Sequence, residues 1–384
     1  MPGRSLKEFA LAATARIGRT LTETSGTTPK LGAPDRILLF QAGGIGDILR
    51  IFPLLESLHA AFPGAALFTL SPFHTSVYAL LREPGMLAGS LPYNPTNAQR
   101  GLAAKLKLAR ALRGYGFDLI VNPARGQGML QHALLSFAIG APVRVGFDDE
   151  GAGFANNVRV PLTADRPIVL QNLDLLRALG TEPQVTDVHL RVPRIDLASL
   201  LPRTLDESEP LIAIHAGSTW ESRLQWQLAR YAELLTALLR EHRCTILLLG
   251  TAPETPMGDA LMAQANQPRV VNLIGKTSLL QVAALLSRCA LFIGNDSGLL
   301  HVALGLRTPA IGLFGYTAPQ QVIFPQGPCV ALHKPGRTRL YEHQAFFTFR
   351  DEGPNPLDNI HVSDVLDAAR SLLRGELSSP STGA

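Results

Sequence analysis

The stretch Leu291-Phe292-Ile293-Gly294-Asn295-Asp296-Ser297-Gly298-Leu299-Leu300-His301 constrains the fold most tightly. Three apolar residues run into a Gly-Asn-Asp-Ser turn, after which Leu299, Leu300, Val302 and Ala303 continue as an apolar helix. Such a strand, tight turn and helix form one step of a parallel sheet covered on both faces. The turn leaves backbone N–H groups without acceptors at the helix start, where the helix dipole suits an anionic group such as a diphosphate. Asp296 or Ser297 acting as an ordinary helix cap explains the same residues. The stretch alone leaves both readings open.

The same step recurs along the chain. Ile37 to Phe40 reads as a buried strand, Gly43 to Asp47 as a turn, and Ile48 to Phe62 as one helix. Strands follow at 66–70, 119–121 and 143–147, with helices at 76–81, 130–139 and 171–179. Weak periodicity and several prolines at 181–209 mark a boundary. A second set then runs through strands at 211–215, 245–249, 270–273, 291–293 and 309–314, and a last helix at 361–373. The expected division is 1–34 as amphipathic helix and linker, 35–185 as a first domain, 186–209 as linker, 210–350 as a second domain, 351–376 as a terminal helix segment and 377–384 as a disordered tail.

With 384 residues the chain exceeds one ordinary core. Hydrophobic residues make up 46% and charged residues 17%, which excludes a disordered chain. A net charge of +4 does not argue for nucleic acid. Cys244, Cys289 and Cys329 lie far apart, with no metal or disulfide spacing, which fits a reducing compartment. No apolar run reaches the ~20 residues that span a bilayer, and no signal peptide is evident, so a cytoplasmic location is expected. Residues 5–21 read as a basic amphipathic helix, either packed on the domain or lying on an anionic membrane surface.

In open α/β sheets ligands bind beyond the carboxyl ends of the strands, which singles out four loops: 41–47, 215–227, 250–256 and 294–301. The first lacks the dinucleotide-binding glycine spacing and ends in Asp47 at a helix start. Asp47 is there either a cap or a carboxylate able to accept a proton from a hydroxyl. Ser218, Thr219 and Arg223 in the second loop suit phosphate oxygens. Glu254 in the third suits a ribose diol, and equally caps the following helix. The cations Arg100, Lys105, Lys107, Arg110 and Arg113 form either a solvated helix face or a cationic lip over a cleft.

Four segments together resemble glycosyltransferase family 9, the lipopolysaccharide heptosyltransferases of Gram-negative bacteria. They are Ile37 to Pro53 with Gly44-Ile45-Gly46-Asp47; Gly140 to Phe147; His215-Ala216-Gly217-Ser218 up to Trp226; and Leu273 to Ser278 followed by Gly294 to His301. Their order matches over roughly residues 36 to 374. The resemblance implies a GT-B architecture, two Rossmann-like doubly wound domains facing a central cleft. It further implies inverting, metal-independent transfer of a heptose from ADP-heptose to a lipopolysaccharide core or related cell-surface acceptor, with no cofactor beyond the nucleotide sugar.

By this likeness Asp47 is the general base. Ser218, Thr219, Arg223, Glu254, Asp296, Ser297, Gly298, Leu299 and His301 hold the donor, with Glu254 on the ribose. Gly44, Gly46, Arg100, Lys105, Lys107 and Arg125 face the acceptor, and the terminal helix crosses back to the first domain. The implied partners are a nucleotide-sugar donor and a lipid-linked or surface glycan, with no nucleic acid; peripheral contact at the cytoplasmic face of the inner membrane is expected from the basic amphipathic helix at 5–21. The chain departs from the family in carrying Leu224 where a lysine usually stands two residues before the tryptophan; the nearest cation is Arg223. Trp226 is not followed by the common proline, and Cys329 stands alone where many members have a cysteine cluster. The alternatives are a relative using another nucleotide sugar, a nucleotide-sugar epimerase, and a non-catalytic nucleotide-sugar-binding homologue.

Overall fold

A computed structural model describes residues 31–41, 43–71, 75–83, 85–93, 101–126, 128–163, 166–201, 208–217, 225–265, 267–334 and 354–375. The expected N-terminal helix and the tail lie outside the described residues.

The chain divides into two compact units, one holding residues up to 75 and 83–186, the other 76–82 and the chain from 187 onward, with 354–375. In the first unit β1 (Arg36–Phe40) leads into α1 (Ile45–Leu49) and α2 (Phe52–Ala61), then β2 (Ala66–Ser71) and β3 (Leu87–Pro92). Next come α3 (Leu102–Arg113), β4 (Leu119–Asn122), α4 (Gly128–Ile139), β5 (Val143–Asp148), β6 (Val158–Pro161) and α5 (Ile168–Arg177). The six strands are parallel, in the order β3-β2-β1-β4-β5-β6. Helices α3 and α4 pack together on one side, α2 and α5 on the other.

The second unit contains β7 (Leu211–His215), α6 (Leu228–Glu241), β8 (Thr245–Leu248), α7 (Thr255–Ala265), β9 (Val270–Asn272) and α8 (Leu279–Leu286). It continues through β10 (Leu291–Asn295), α9 (Gly298–Gly305), β11 (Ala310–Phe314), α10 (Pro319–Val322), β12 (Cys329–His333) and α11 (Val362–Leu373). Its parallel sheet runs β12-β11-β10-β7-β8-β9. Both orders are the doubly wound order in which the winding reverses between the first strand and its fourth, here β1/β4 and β7/β10. That reversal opens a crevice at the carboxyl ends of those strands. The two sheets carry the Rossmann-like, GT-B fold.

The strands are buried on both faces, as parallel strands must be; Ile37 to Phe40, Ile212 to Ile214 and Leu291 to Ile293 are each 3% exposed or less. Cys244, Cys289 and Cys329 are free and buried.

Three expectations change. The helix expected over 48–62 is two helices, because Pro53 sits in the first turn of α2 and cannot donate to the preceding turn. The segment expected as linker at 186–209 is partly core. Val188 and Leu190 are buried, and the Leu190 N–H donates to Gly305 O at 2.8 Å. The terminal helix, expected to cross back to the first domain, packs on α6 instead; Val362, Val365, Leu366, Ala368 and Ala369 join the second unit's core.

Candidate active site

Each unit brings polar groups to the crevice where its winding reverses. In the second unit, β7 ends at His215 and β10 at Asn295, neighbours across the reversal. The imidazole of His215 is 4% exposed and engages both its nitrogens: Nδ1 lies 3.0 Å from Ser297 Oγ and Nε2 3.3 Å from Glu254 Oε1. The other carboxylate oxygen of Glu254 accepts from Thr251 N at 2.6 Å and Thr251 Oγ1 at 2.8 Å. Burial pushes the Glu254 carboxyl up, but the His215 ring and the Thr251 donors outweigh that and hold it down to about 2. The close approach requires Gly217, whose absent Cβ would overlap Glu254 Oε1.

Ser297 occupies the N-cap position of α9 yet makes no side-chain cap. Its hydroxyl is drawn to His215 instead. The carboxylate of Asp296 lies 3.4 Å from His301 Nε2, and His301 is 2% exposed with its ring against Phe324. The first-turn N–H groups at Gly298 and Leu299 are those a helix start leaves without an intrahelical acceptor. This end of α9 therefore offers donors and a dipole to an anion.

Sequence reasoning missed two residues here. The sequence places His215 in a motif without assigning it a task, and Asn295 in the turn. Asn295 Nδ2 donates to Ala216 O at 3.0 Å and Gly217 O at 3.2 Å, and its Oδ1 accepts from Trp226 N at 3.2 Å. It thereby ties both ends of the 217–226 loop to β10. Trp226 is 1% exposed and donates from Nε1 to Ile360 O at 2.9 Å, so it anchors that loop and does not face a ligand. A histidine ending an otherwise apolar strand was the available signal for His215. Ser218, Thr219, Arg223 and Leu224 lie outside the described residues.

In the first unit, Gly43 holds φ +103°, and a side chain there would overlap the Asp47 carboxylate. Asp47 Oδ2 accepts from Gly44 N at 3.0 Å, and Oδ1 pairs with Arg50 Nη1 at 2.8 Å, while the side chain stays 46% exposed. Gly46 accepts from Arg50 N within the same turn. The Arg50 carbonyl accepts from Asn172 Nδ2 at 2.9 Å, and Asn172 Oδ1 accepts from Arg125 Nη2 at 2.8 Å. The Arg125 guanidinium lies 4.4 Å above the Phe147 ring. Asp47, Gly44, Gly46 and Arg125 thus belong to one network at the β1/β4 reversal.

The remaining cations are placed otherwise. Lys105 Nζ donates to Gln131 Oε1 at 2.7 Å, and burial lowers its pKa. Lys107 is exposed on α3, and Arg100 lies outside the described residues. Among the described residues no three His, Cys, Asp or Glu side chains stand together as a metal site, and no helix is long and apolar enough to cross a membrane.

The first unit presents a half-exposed carboxylate at a helix start, and the second a helix start with an ordered carboxylate near it. Similar proteins are known. The profile described as Glycosyltransferase family 9 (heptosyltransferase) matches residues 105–331. Lipopolysaccharide heptosyltransferase 2 of Escherichia coli K12 is 27% identical over 298 residues, covering 74% of this chain and 84% of that protein. The solved ADP-heptose lps heptosyltransferase II of E. coli superposes with a TM-score of 0.66 at 22% identity, over 89% of this chain and 99% of that one. A glycosyl transferase family 9 structure from Veillonella parvula gives 0.70 at 18% identity, over 91% and 99%. The chain belongs to glycosyltransferase family 9.

Proposed function

We propose that this glycosyltransferase moves a heptose from ADP-heptose to a lipopolysaccharide core or related surface glycan, with inversion and without a metal. The observation that carries the reading is Ser297. Its hydroxyl bonds to His215 and gives no cap to the first-turn N–H groups of α9. The Ser297, Gly298 and Leu299 N–H groups then take the diphosphate and stabilise the charge that builds on it as the sugar leaves. Glu254 accepts from the ribose hydroxyls, Asp296 from the sugar hydroxyls, and His301 holds Asp296. Ser218, Thr219 and Arg223 complete the phosphate contacts.

In the acceptor half, Asp47 takes the proton from the attacking hydroxyl. That oxygen forms its bond to the anomeric carbon opposite the departing diphosphate, so the configuration inverts. Gly44 and Arg50 fix the carboxylate's rotamer, and its exposed edge receives the proton. Arg125, Lys105, Lys107, Arg100 and Gly46 serve acceptor phosphates or sugar acids.

The test is ADP release with ADP-heptose and a core acceptor, compared with other nucleotide sugars and with Asp47→Ala. ADP-heptose should stabilise the protein and turn over only with acceptor, and Asp47→Ala should cut kcat by about 10²–10⁴. Release that survives Asp47→Ala removes the base. A melting temperature blind to ADP-heptose but raised by another nucleotide sugar replaces the donor. Loss of turnover in EDTA overturns the metal-free mechanism.

A further inference from the structure

Helices α3 and α4 carry exposed apolar side chains that have no part in the proposed transfer reaction. Among the described residues five large hydrophobic side chains are exposed, and four of them stand on these two helices: Leu102 (75%), Leu106 (55%), Leu134 (40%) and Phe137 (61%). Leu102 and Leu106 share one face of α3, and Leu134 and Phe137 share one face of α4. The inner faces are already occupied: Ala109, Leu112, Leu135 and Ile139 pack into the core beneath the sheet. The helices are tied side by side by the Lys105 bond to Gln131 and by Arg113 Nε donating to Ala138 O at 2.7 Å.

Charge on this face has one sign. Neither helix contains an Asp or Glu, whereas α3 carries Lys105, Lys107, Arg110 and Arg113. The Arg144 guanidinium adds a further cation, 5.4 Å over the Phe137 ring. Exposed leucines and a phenylalanine interleaved with cations alone do not suit a second copy of the same surface, since pairing would oppose like charges. The pattern suits an anionic bilayer, with apolar side chains at the acyl boundary and cations among the headgroups. Position supports this occupant. α3 feeds into β4 and α4 leaves it, so Leu102, Leu106 and the start of α4 stand at the carboxyl edge of the sheet, the edge that bears Asp47.

We propose that α3 and α4 dock the protein on an anionic lipid surface through Leu102, Leu106, Leu134 and Phe137, with Arg110 and Arg113 on the headgroups. Docking in this way presents a lipid-borne acceptor to the Asp47 edge. That last clause rests on the proposed transfer reaction, whereas the docking itself does not.

The test uses the full chain and sedimentation with vesicles containing phosphatidylglycerol, against vesicles of phosphatidylcholine alone. Wild type should bind the anionic vesicles, and Leu102→Ser, Leu106→Ser and Phe137→Ser combined should weaken that binding at least about tenfold. The melting temperature and ADP binding should stay unchanged. Arg110→Glu, a single exposed change, should weaken it about fivefold or more and guards against a misfolded triple variant. Equal binding to both vesicle types, or variants that bind like wild type, overturns the proposal. So does a dimer in light scattering that the triple variant dissociates. Vesicle binding needs no donor, so its failure and the failure of the transfer reading are separate results.

Discussion

Replacing Glu254 with glutamine tests whether the carboxylate between His215 and Thr251 is held as an anion. The side chain is 12% exposed and its carboxyl sits at about 2, against an ordinary value of 4.5. A depressed carboxyl pKa stabilises the fold above the unfolded value and loses that stability as pH falls through the folded value. At pH 6 the contribution is about 3 kcal/mol, from 1.36 kcal/mol per pH unit over the gap between the two values. Between pH 5 and pH 3 about 2 kcal/mol of it should disappear. Urea unfolding of wild type and Glu254→Gln across that range isolates the term, because every other carboxylate titrates in both. The variant should be less stable by about 1–3 kcal/mol near neutrality, and the difference should shrink toward pH 3. A stability gap that stays constant from pH 6 to pH 3 would show that the charge contributes nothing. The ordered carboxylate would then be a packing feature and not a charged donor contact.

Two further outcomes follow from buried groups. His132 is 6% exposed between the rings of Phe40 and Tyr93, and burial, reinforced by the charge of Lys105, lowers it to about 4. The unfolded chain takes that proton first, so stability should fall by about 3 kcal/mol as pH drops from 6.5 to 4. His132→Leu should flatten this part of the urea-unfolding profile, and an unchanged slope would refute the assignment. Gly217→Ala sets a Cβ on Glu254 Oε1 and should cost about 1–3 kcal/mol in urea unfolding. It should also weaken ADP binding about tenfold or more by calorimetry, and retained affinity would remove Glu254 from the nucleotide site.

The two doubly wound units were legible because parallel strands are buried on both faces and read as continuous apolar runs: Ile37 to Phe40, Leu211 to Ile214, Leu291 to Ile293. The strands that sequence reasoning passed over are the outer ones. β3 has no fully buried residue, β6 alternates buried and exposed over four residues, and β12 is half-buried at its end. An edge strand is covered on fewer sides and needs fewer apolar residues, so its signal fades where the sheet ends. The break between α1 and α2 was readable from Pro53, but the apolar spacing across 49–58 concealed it. The placement of α11 was not readable at all. Its apolar face fits any groove between helices, and only the packing on α6 settles which one.

The site posed a different problem. From sequence, Asp47, Glu254 and Ser297 each divided between helix cap and functional group. In the structure both carboxylates cap, and each has its second oxygen engaged elsewhere, because a carboxylate accepts at two oxygens. Asp47 spends Oδ2 on the Gly44 N–H and turns Oδ1 to Arg50; Glu254 spends Oε2 on Thr251 and turns Oε1 to His215. In each case the capping bond fixes the rotamer that sets the second oxygen, so the cap is the means of positioning. Ser297 has one oxygen and resolves the other way: bonded to His215, it gives no side-chain cap to α9. What the sequence withholds is the histidine that joins Glu254 and Ser297. His215 lies 82 residues from Ser297 and 39 from Glu254, and no local pattern records a contact made only when β7, β8 and β10 align.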